Sequence, residues 1–201
     1  EGEHQLLRAQ LLVAREDYAA AAALLEQLQQ RQDLPAAAAM VARFNLGVAL
    51  VRLGDAARGE QLLAQVGQTA SADEETRALR DRANVALGFA LLQAGQPREA
   101  RGALQRVRLH AASSNKALLG YGWAAAELKD PKLALVPWTE LAAREIGDAA
   151  VLEARIAVPY AYGELGAYAT ALRHYEQAVS DFERARRALA ESVAPVRAGA
   201  A

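Results

Sequence analysis

One offset pattern runs the length of this 201-residue sequence and decides what it can fold into. A small residue is followed twelve positions later by another, in Ala9/Ala21, Gly47/Gly59, Gly88/Ala100 and Gly122/Ala134. Four residues beyond each second member stands a large apolar one: Leu25, Leu63, Leu104 and Trp138. A fifth occurrence, Pro159/Ala171 followed by Tyr175, departs in its first member. Small residues at a fixed offset let two antiparallel helices cross closely, and the large residue is expected to fill the gap toward the next pair. The chain is thus an internal repeat whose unit is a helical hairpin.

The amphipathic segments fall into the same pairs. They are 3–15 with 17–31, joined at "RED"; 36–53 with 56–67, at "LGDA"; and 73–94 with 97–110, at "AGQP". Two more follow, 114–128 with 131–146 at "LKDP" and 149–165 with 168–190 at "LGAY". Each junction carries a helix stop or a helix-starting proline. Alanine supplies much of the 53% hydrophobic content, in runs such as Ala19–Ala23 and Ala36–Ala39, and it is the strongest helix former. Aromatic residues are only 5% and β-branched runs are absent, so the predicted class is all-α.

At this point the chain resembles the tetratricopeptide repeat (TPR) family, whose unit is a helix–turn–helix of about 34 residues. The resemblance is carried by "NLGVALVRLGDAARGEQLL" (45–63), "ALGFALLQAGQPREARGAL" (86–104), "GYGWAAAELKDPKLALVPW" (120–138) and "VPYAYGELGAYATALRHY" (158–175). It is weakest in "AQLLVAREDYAAAAALLEQL" (9–28), which lacks a Leu-Gly pair. "GYGWA", "ALVPW" and "VPYAYGELGAY" also resemble an uncharacterised group of larger bacterial TPR proteins. The resemblance implies a right-handed α-solenoid of about five repeats over residues 1–193. A flexible tail is expected over 194–201, after a last helix "SDFERARRALAESV" (180–193) that runs longer than its repeat needs.

Chemical signals are few. Gly120, Gly122 and Ala125 spell G-x-G-x-x-A, a variant of the dinucleotide-binding loop, but that loop needs a strand before it and a helix beginning at it. Here "SSNKALL" reads instead as a helix start, so Gly122 is assigned to close packing and no cofactor is expected. His4, His110 and His174 are far apart, which predicts no metal site. No serine lies in a nucleophile elbow, and Glu74/Glu75 sit where a helix dipole favours them. The sequence therefore predicts no enzyme. Pro137 and Pro159 fall inside predicted helices and are expected to bend them.

A net charge of −1 argues against nucleic acid as the main partner. No uninterrupted apolar run approaches a bilayer span, so no direct membrane insertion is expected. With no cysteine there is no disulfide or thiolate site. The compartment does not follow from the sequence, although a bacterial periplasmic setting is favoured over a cytoplasmic one. In the third repeat Arg77, Arg80, Arg82, Arg98, Arg101, Arg106, Arg108 and Lys116 stand against Asp81 and Glu99. That is a solvated face or a patch for an acidic partner segment.

In TPR arrays the residue after the packing glycine points to a concave surface, so the resemblance places Gln10, Val48, Phe89, Trp123 and Tyr160 there. One turn earlier on the same stripe stand Leu6, Phe44, Val85, Leu119 and Ile156, with Arg82 and Lys116 near the helix starts. Glu127 and Glu164 stand near the helix ends. The expected function is a protein–protein interaction scaffold that takes a peptide or helix of a partner in this apolar groove. Two other readings remain open: a helical domain for a small apolar molecule or glycan, and a structural spacer or homo-oligomerisation module.

Overall fold

The computed structural model describes residues 2–197 and Gly199, and those residues form ten α-helices. They are α1 (Gly2–Ala14), α2 (Tyr18–Gln29), α3 (Ala36–Leu53), α4 (Ala56–Gly67) and α5 (Glu74–Gln93). There follow α6 (Pro97–Leu104), α7 (Ser114–Glu127), α8 (Pro131–Ala142), α9 (Ala149–Glu164) and α10 (Tyr168–Arg197). The class is all-α, as predicted. Contacts divide the chain into two compact bodies, Glu1–Gly120 and Tyr121–Ala201. The boundary falls inside α7, which gives its first half to one body and its second half to the other.

The five hairpin turns are built alike. Seven residues past each packing position the backbone turns left-handed, at Glu16, Gly54, Gly95, Lys129 and Gly166, with φ between 61 and 91°. The next amide then donates back into the helix: Asp17 to Leu12 (2.9 Å), Asp55 to Leu50 (3.0 Å) and Gln96 to Leu91 (2.8 Å). Asp130 to Ala125 (3.0 Å) and Ala167 to Tyr162 (2.9 Å) complete the set. These bonds satisfy carbonyls that the helix end leaves open. Asp17 and Asp130 then cap the following helices through the amides of Ala20 and Leu133.

The packing positions do what the offset pattern requires, and the large residues do more than it predicts. A Cβ on Gly59 would lie 2.7 Å from the carbonyl oxygen of Gly47, so α3 and α4 touch backbone to backbone. The large residues do reach toward the next pair, Leu104 to 3.1 Å from a Cβ on Gly120 of α7 and Leu25 into a cluster with Ala42, Leu46 and Ala49 of α3. Each also lies back on the small residue of its own pair: a Cβ on Gly47 would meet Leu63 at 2.9 Å, and on Gly88 it would meet Leu104 at 2.4 Å. On Gly122 it would meet the Trp138 indole at 2.0 Å. Leu25, Leu63, Leu104 and Trp138 are accordingly 0–2% exposed. In the fifth pair the buried ring of Pro159 stands where a recess would be, and Tyr175 is left 41% exposed.

A second register went unread in the sequence. Five residues before and two after the packing position, the first helices carry Ala42/Ala49, Ala83/Ala90, Ala117/Ala124 and Ala154/Ala161, all at most 6% exposed. Seven apart, they share one helical face, and α3, α5 and α9 pack on α2, α4 and α8. Buried Asn84 pins one such contact: its amide donates to the Gly67 carbonyl (2.9 Å), and a Cβ on Gly67 would strike its Oδ1 at 2.6 Å. In the last pair Arg155 of α9 pairs with Asp181 of α10, which also accepts from Gln177 (2.9 Å) and Arg184 (2.7 Å).

Several boundaries differ from the expected ones. α6 stops at Leu104 because Arg108 draws the following segment back onto α5 through Asp81 and Glu74. α8 and α9 continue through Pro137 and Pro159, both buried. α10 extends to Arg197, so residues 194–197 of the anticipated tail are helical, while residues 198, 200 and 201 lie outside the described ones. α3 is the one helix among the described residues long and apolar enough to cross a membrane, over 18 residues with mean hydropathy 1.5. Arg43, Asn45 and Arg52 interrupt its apolar run. In the structure Ala42, Leu46, Ala49 and Leu50 of α3 are buried in one cluster with Leu6, Leu25 and Leu28.

Two glycine-to-alanine changes separate the roles of helical glycines. Gly122→Ala forces a methyl into the Trp138 ring and is expected to lower stability in urea unfolding by about 1–3 kcal/mol. Gly102→Ala, with nothing within 4 Å of the new methyl, is expected to raise it by about 0.5–1 kcal/mol.

Candidate functional site

The glycines of the G-x-G-x-x-A match lie inside α7, which starts at Ser114, and not at a helix N-terminus. Each makes a recess. In the N-terminal body a Cβ on Gly120 would sit 3.2 Å from the Phe89 ring and 3.1 Å from Leu104. In the C-terminal body Gly122 receives Trp138. The next residue, Trp123, is thereby turned about 100° around the helix from the packing seam.

Trp123 is the centre of the best-defined polar–aromatic cluster in the C-terminal body. Its ring meets buried Trp138 edge-on at 4.9 Å and tilted Tyr160 at 6.1 Å. Its indole N–H donates to the Glu153 carboxylate at 2.8 Å. Glu153, Ile156 and Tyr160 follow at spacings of three and four along α9, on one face. Ile156 is 47% and Tyr160 40% exposed, and Trp123 is half-buried. Beside Tyr160 opens a recess of about 240 Å³ lined by Ala126, Lys129, Pro131, Ala161 and Glu164. Glu153 was not foreseen, although it stands one turn before Ile156 on the same stripe.

The N-terminal body holds the other expected residues differently. Phe44, Val85 and Leu119 were expected on an open stripe and are buried, at 7, 8 and 6% exposure. Three residues before the packing glycine is only about 60° from the seam, nearer the core than the position after it. Phe44 is further covered by the Arg82 guanidinium, 4.9 Å above its ring. Val48 and Phe89 are half-buried, and Lys116 is exposed. Of the expected set, the structure therefore joins Phe44 to Arg82 in one body and Trp123 to Tyr160 in the other, with Ile156 one turn before Tyr160 on α9.

The arginine excess of the third repeat is answered in part inside the fold. Arg108 bridges buried Asp81 (2.7 Å) and Glu74 (2.9 Å), and Arg77 reaches the same Glu74 at 2.8 Å. Arg98, Arg106 and Lys116 remain exposed. Hydrogen bonding to Arg108 holds the Glu74 carboxyl below the usual glutamate range, and Glu74, then Asp81, raise the pKa of the Arg108 guanidinium. His174 stacks on Tyr162 at 5.1 Å.

The sequence matches the tetratricopeptide repeat family over residues 6–75 and 85–150, more than half of the chain. The chain belongs to that family. Its fold is shared by residues 41 to the end of MamA from Desulfovibrio magneticus RS-1, with TM-score 0.72, 16% identity, and 92% of this chain and 96% of that one covered. It is shared by the TPR-like repeats of a putative kinesin light chain from Podospora anserina (TM-score 0.70, 18% identity, 92% and 96% covered). YrrB, a TPR protein with an unusual peptide-binding site, aligns at TM-score 0.68 and 16% identity over 90% of this chain and 86% of its own. No curated protein sequence matches the chain.

A carboxylate held below its ordinary pKa stabilises the fold fully above that ordinary value, and this contribution is lost as pH falls through the lowered one. Stability in urea is therefore expected to drop on acidification through and below the glutamate range. Glu74→Gln is expected to be less stable than wild type at neutral pH and to show a shallower acid slope. Equal slopes would show that the Glu74–Arg108 pair carries none of the pH dependence.

Proposed function

We propose that the chain is a non-enzymatic protein–protein interaction scaffold that binds a peptide or helix of a partner at Trp123, Ile156 and Tyr160. The observation that carries this reading is the pair of half-exposed rings, Trp123 and Tyr160, held in place by Glu153 and by the buried Trp138 beneath. Rigid amphipathic aromatics of this kind supply contact area at low entropic cost and dominate binding where they are found. The recess beside Tyr160, about 240 Å³, is smaller than the roughly 300–1,000 Å³ of small-molecule sites. It suits one apolar side chain of a bound segment, which favours a peptide over a free apolar ligand or glycan. Glu153 holds the Trp123 ring, Glu164 lines the recess beside Tyr160 and Glu127 stands one turn after Trp123 on α7, so a segment with an apolar anchor flanked by lysine or arginine fits best.

Peptides selected from a displayed library on the whole chain are expected to share that pattern. Trp123→Ala/Tyr160→Ala is expected to weaken them about tenfold to a hundredfold, measured by fluorescence anisotropy with a labelled peptide. Peptides held equally well by the double variant would contradict the proposal.

A further inference from the structure

Two successive second helices leave a crevice between them, floored by the first helix that lies behind both. It occurs at the same repeat positions in each body. In the N-terminal body α2 lines it with Glu26, Gln29 and Gln30 and α4 with Arg58 and Gln61, over a floor of Leu46, around about 490 Å³. Its walls are polar, and Arg58 already answers two carboxylates, Glu26 at 2.8 Å and Asp55 at 3.1 Å. In the C-terminal body the positions of Glu26, Gln29, Gln30 and Leu46 are taken by Thr139, Ala142, Ala143 and Val158. These line a crevice of about 310 Å³ against α10.

This second crevice has apolar walls, Ala142, Ala143 and Ala178 around Val158, and polar ends. Thr139 and His174 mark one end, where the His174 ring is stacked on Tyr162. Asp181 marks the other, two turns or roughly 10 Å further along α10. There buried Asp181 accepts from Arg155, from Gln177 at 2.9 Å and from Arg184 at 2.7 Å. Two arginines thus share one carboxylate, and the neighbouring Arg144 is taken by Glu140 at 3.4 Å. One positive charge is left over. Arg155 spends its Nη1 on Asp181, while its Nη2 lies 3.5 Å from the Arg144 carbonyl, the limit of a hydrogen bond. Its buried Nε has no hydrogen-bond partner among the described residues. Nε and Nη2 form one edge of a guanidinium, the edge that receives both oxygens of a carboxylate. A buried N–H without an acceptor is costly, so this edge favours an acceptor brought to it from the crevice.

We infer that the crevice between α8 and α10 binds a small carboxylic acid with a short apolar body. The carboxylate takes the Nε–Nη2 edge of Arg155, and the hydrocarbon lies between the alanines over Val158. A single planar carboxylate suits the site better than phosphate, whose second charge would stand against Asp181. The volume lies at the lower end of the roughly 300–1,000 Å³ of small-molecule sites, which fits a compact ligand. Arg155 and Val158 stand on the face of α9 opposite Glu153, Ile156 and Tyr160, so this site is separate from the proposed peptide site.

The test is a ligand-observed NMR titration of the whole chain with hexanoate, with its neutral amide hexanamide and with inorganic phosphate, circular dichroism confirming that each variant is folded. Hexanoate is expected to bind, hexanamide to bind about tenfold more weakly, and phosphate not to displace hexanoate. Arg155→Lys keeps the charge but loses the fork, and is expected to weaken hexanoate about tenfold. Should that variant fail to fold, Ala142→Leu/Ala143→Leu fills the crevice and leaves the ion pair in place. It is expected to weaken hexanoate at least about tenfold. Arg58→Gln, in the corresponding N-terminal crevice, and Trp123→Ala/Tyr160→Ala, in the peptide site, are expected to leave hexanoate affinity unchanged. A wild type that takes no hexanoate, or takes hexanamide equally well, overturns the inference. So does displacement by phosphate, a leucine variant or a folded Arg155→Lys chain that binds as tightly as wild type, or a loss of hexanoate on changing Arg58 or the Trp123–Tyr160 pair.

Discussion

The contact on which the rest of this structure depends is a large side chain lying on a bare α-carbon. Leu63 on Gly47, Leu104 on Gly88 and Trp138 on Gly122 each lock one helix of a pair to the other. Once that seam is fixed, the geometry of the helix fixes every other face. The turn comes seven residues later, the alanine face that meets the preceding pair lies five before and two after, and the residue next to the glycine is turned away from the seam. A change of one residue in that register would move all of these together, which is why the offsets recur while the side chains around them vary.

The aromatic cluster follows from the same contact. Trp138 is the largest of the residues that fill a recess, and only the missing side chain at Gly122 admits it. Its indole then forms the floor under Trp123, which would otherwise rest on leucine. Glu153 fixes the Trp123 ring from α9, one turn before Ile156 and two before Tyr160. The cluster is thus a consequence of a core substitution in one repeat. No comparable aromatic floor is seen under Val48 or Phe89 among the described residues.

Much of this was legible in the sequence, because small–small–large offsets and left-handed turn signals act over short distances along the chain. The pairs, their turns and the packing role of Gly122 could be read directly. What the offsets do not encode is direction. The large residue was expected toward the next pair, and only the structure shows that it also lies on the small residue of its own. Phe44, Val85 and Leu119 were placed on an open stripe because a stripe in sequence does not distinguish 60° from 100° around the seam. Arg108 looked like surface charge because its partners, Asp81 and Glu74, lie 27 and 34 residues away. The alanine pairs were hidden by abundance, since alanine is common everywhere in this chain.

The seam itself can be tested through the first pair, where Ala9 stands with Leu25 and both are fully buried. An alanine is therefore compatible with a leucine across the seam, though not with an indole. A double-mutant cycle of Gly122→Ala and Trp138→Leu, followed by urea unfolding, measures this directly. The account predicts that Gly122→Ala costs at least about 1 kcal/mol less in the Trp138→Leu background than in the wild type. Equal costs in the two backgrounds would show that the glycine does not exist to admit the ring.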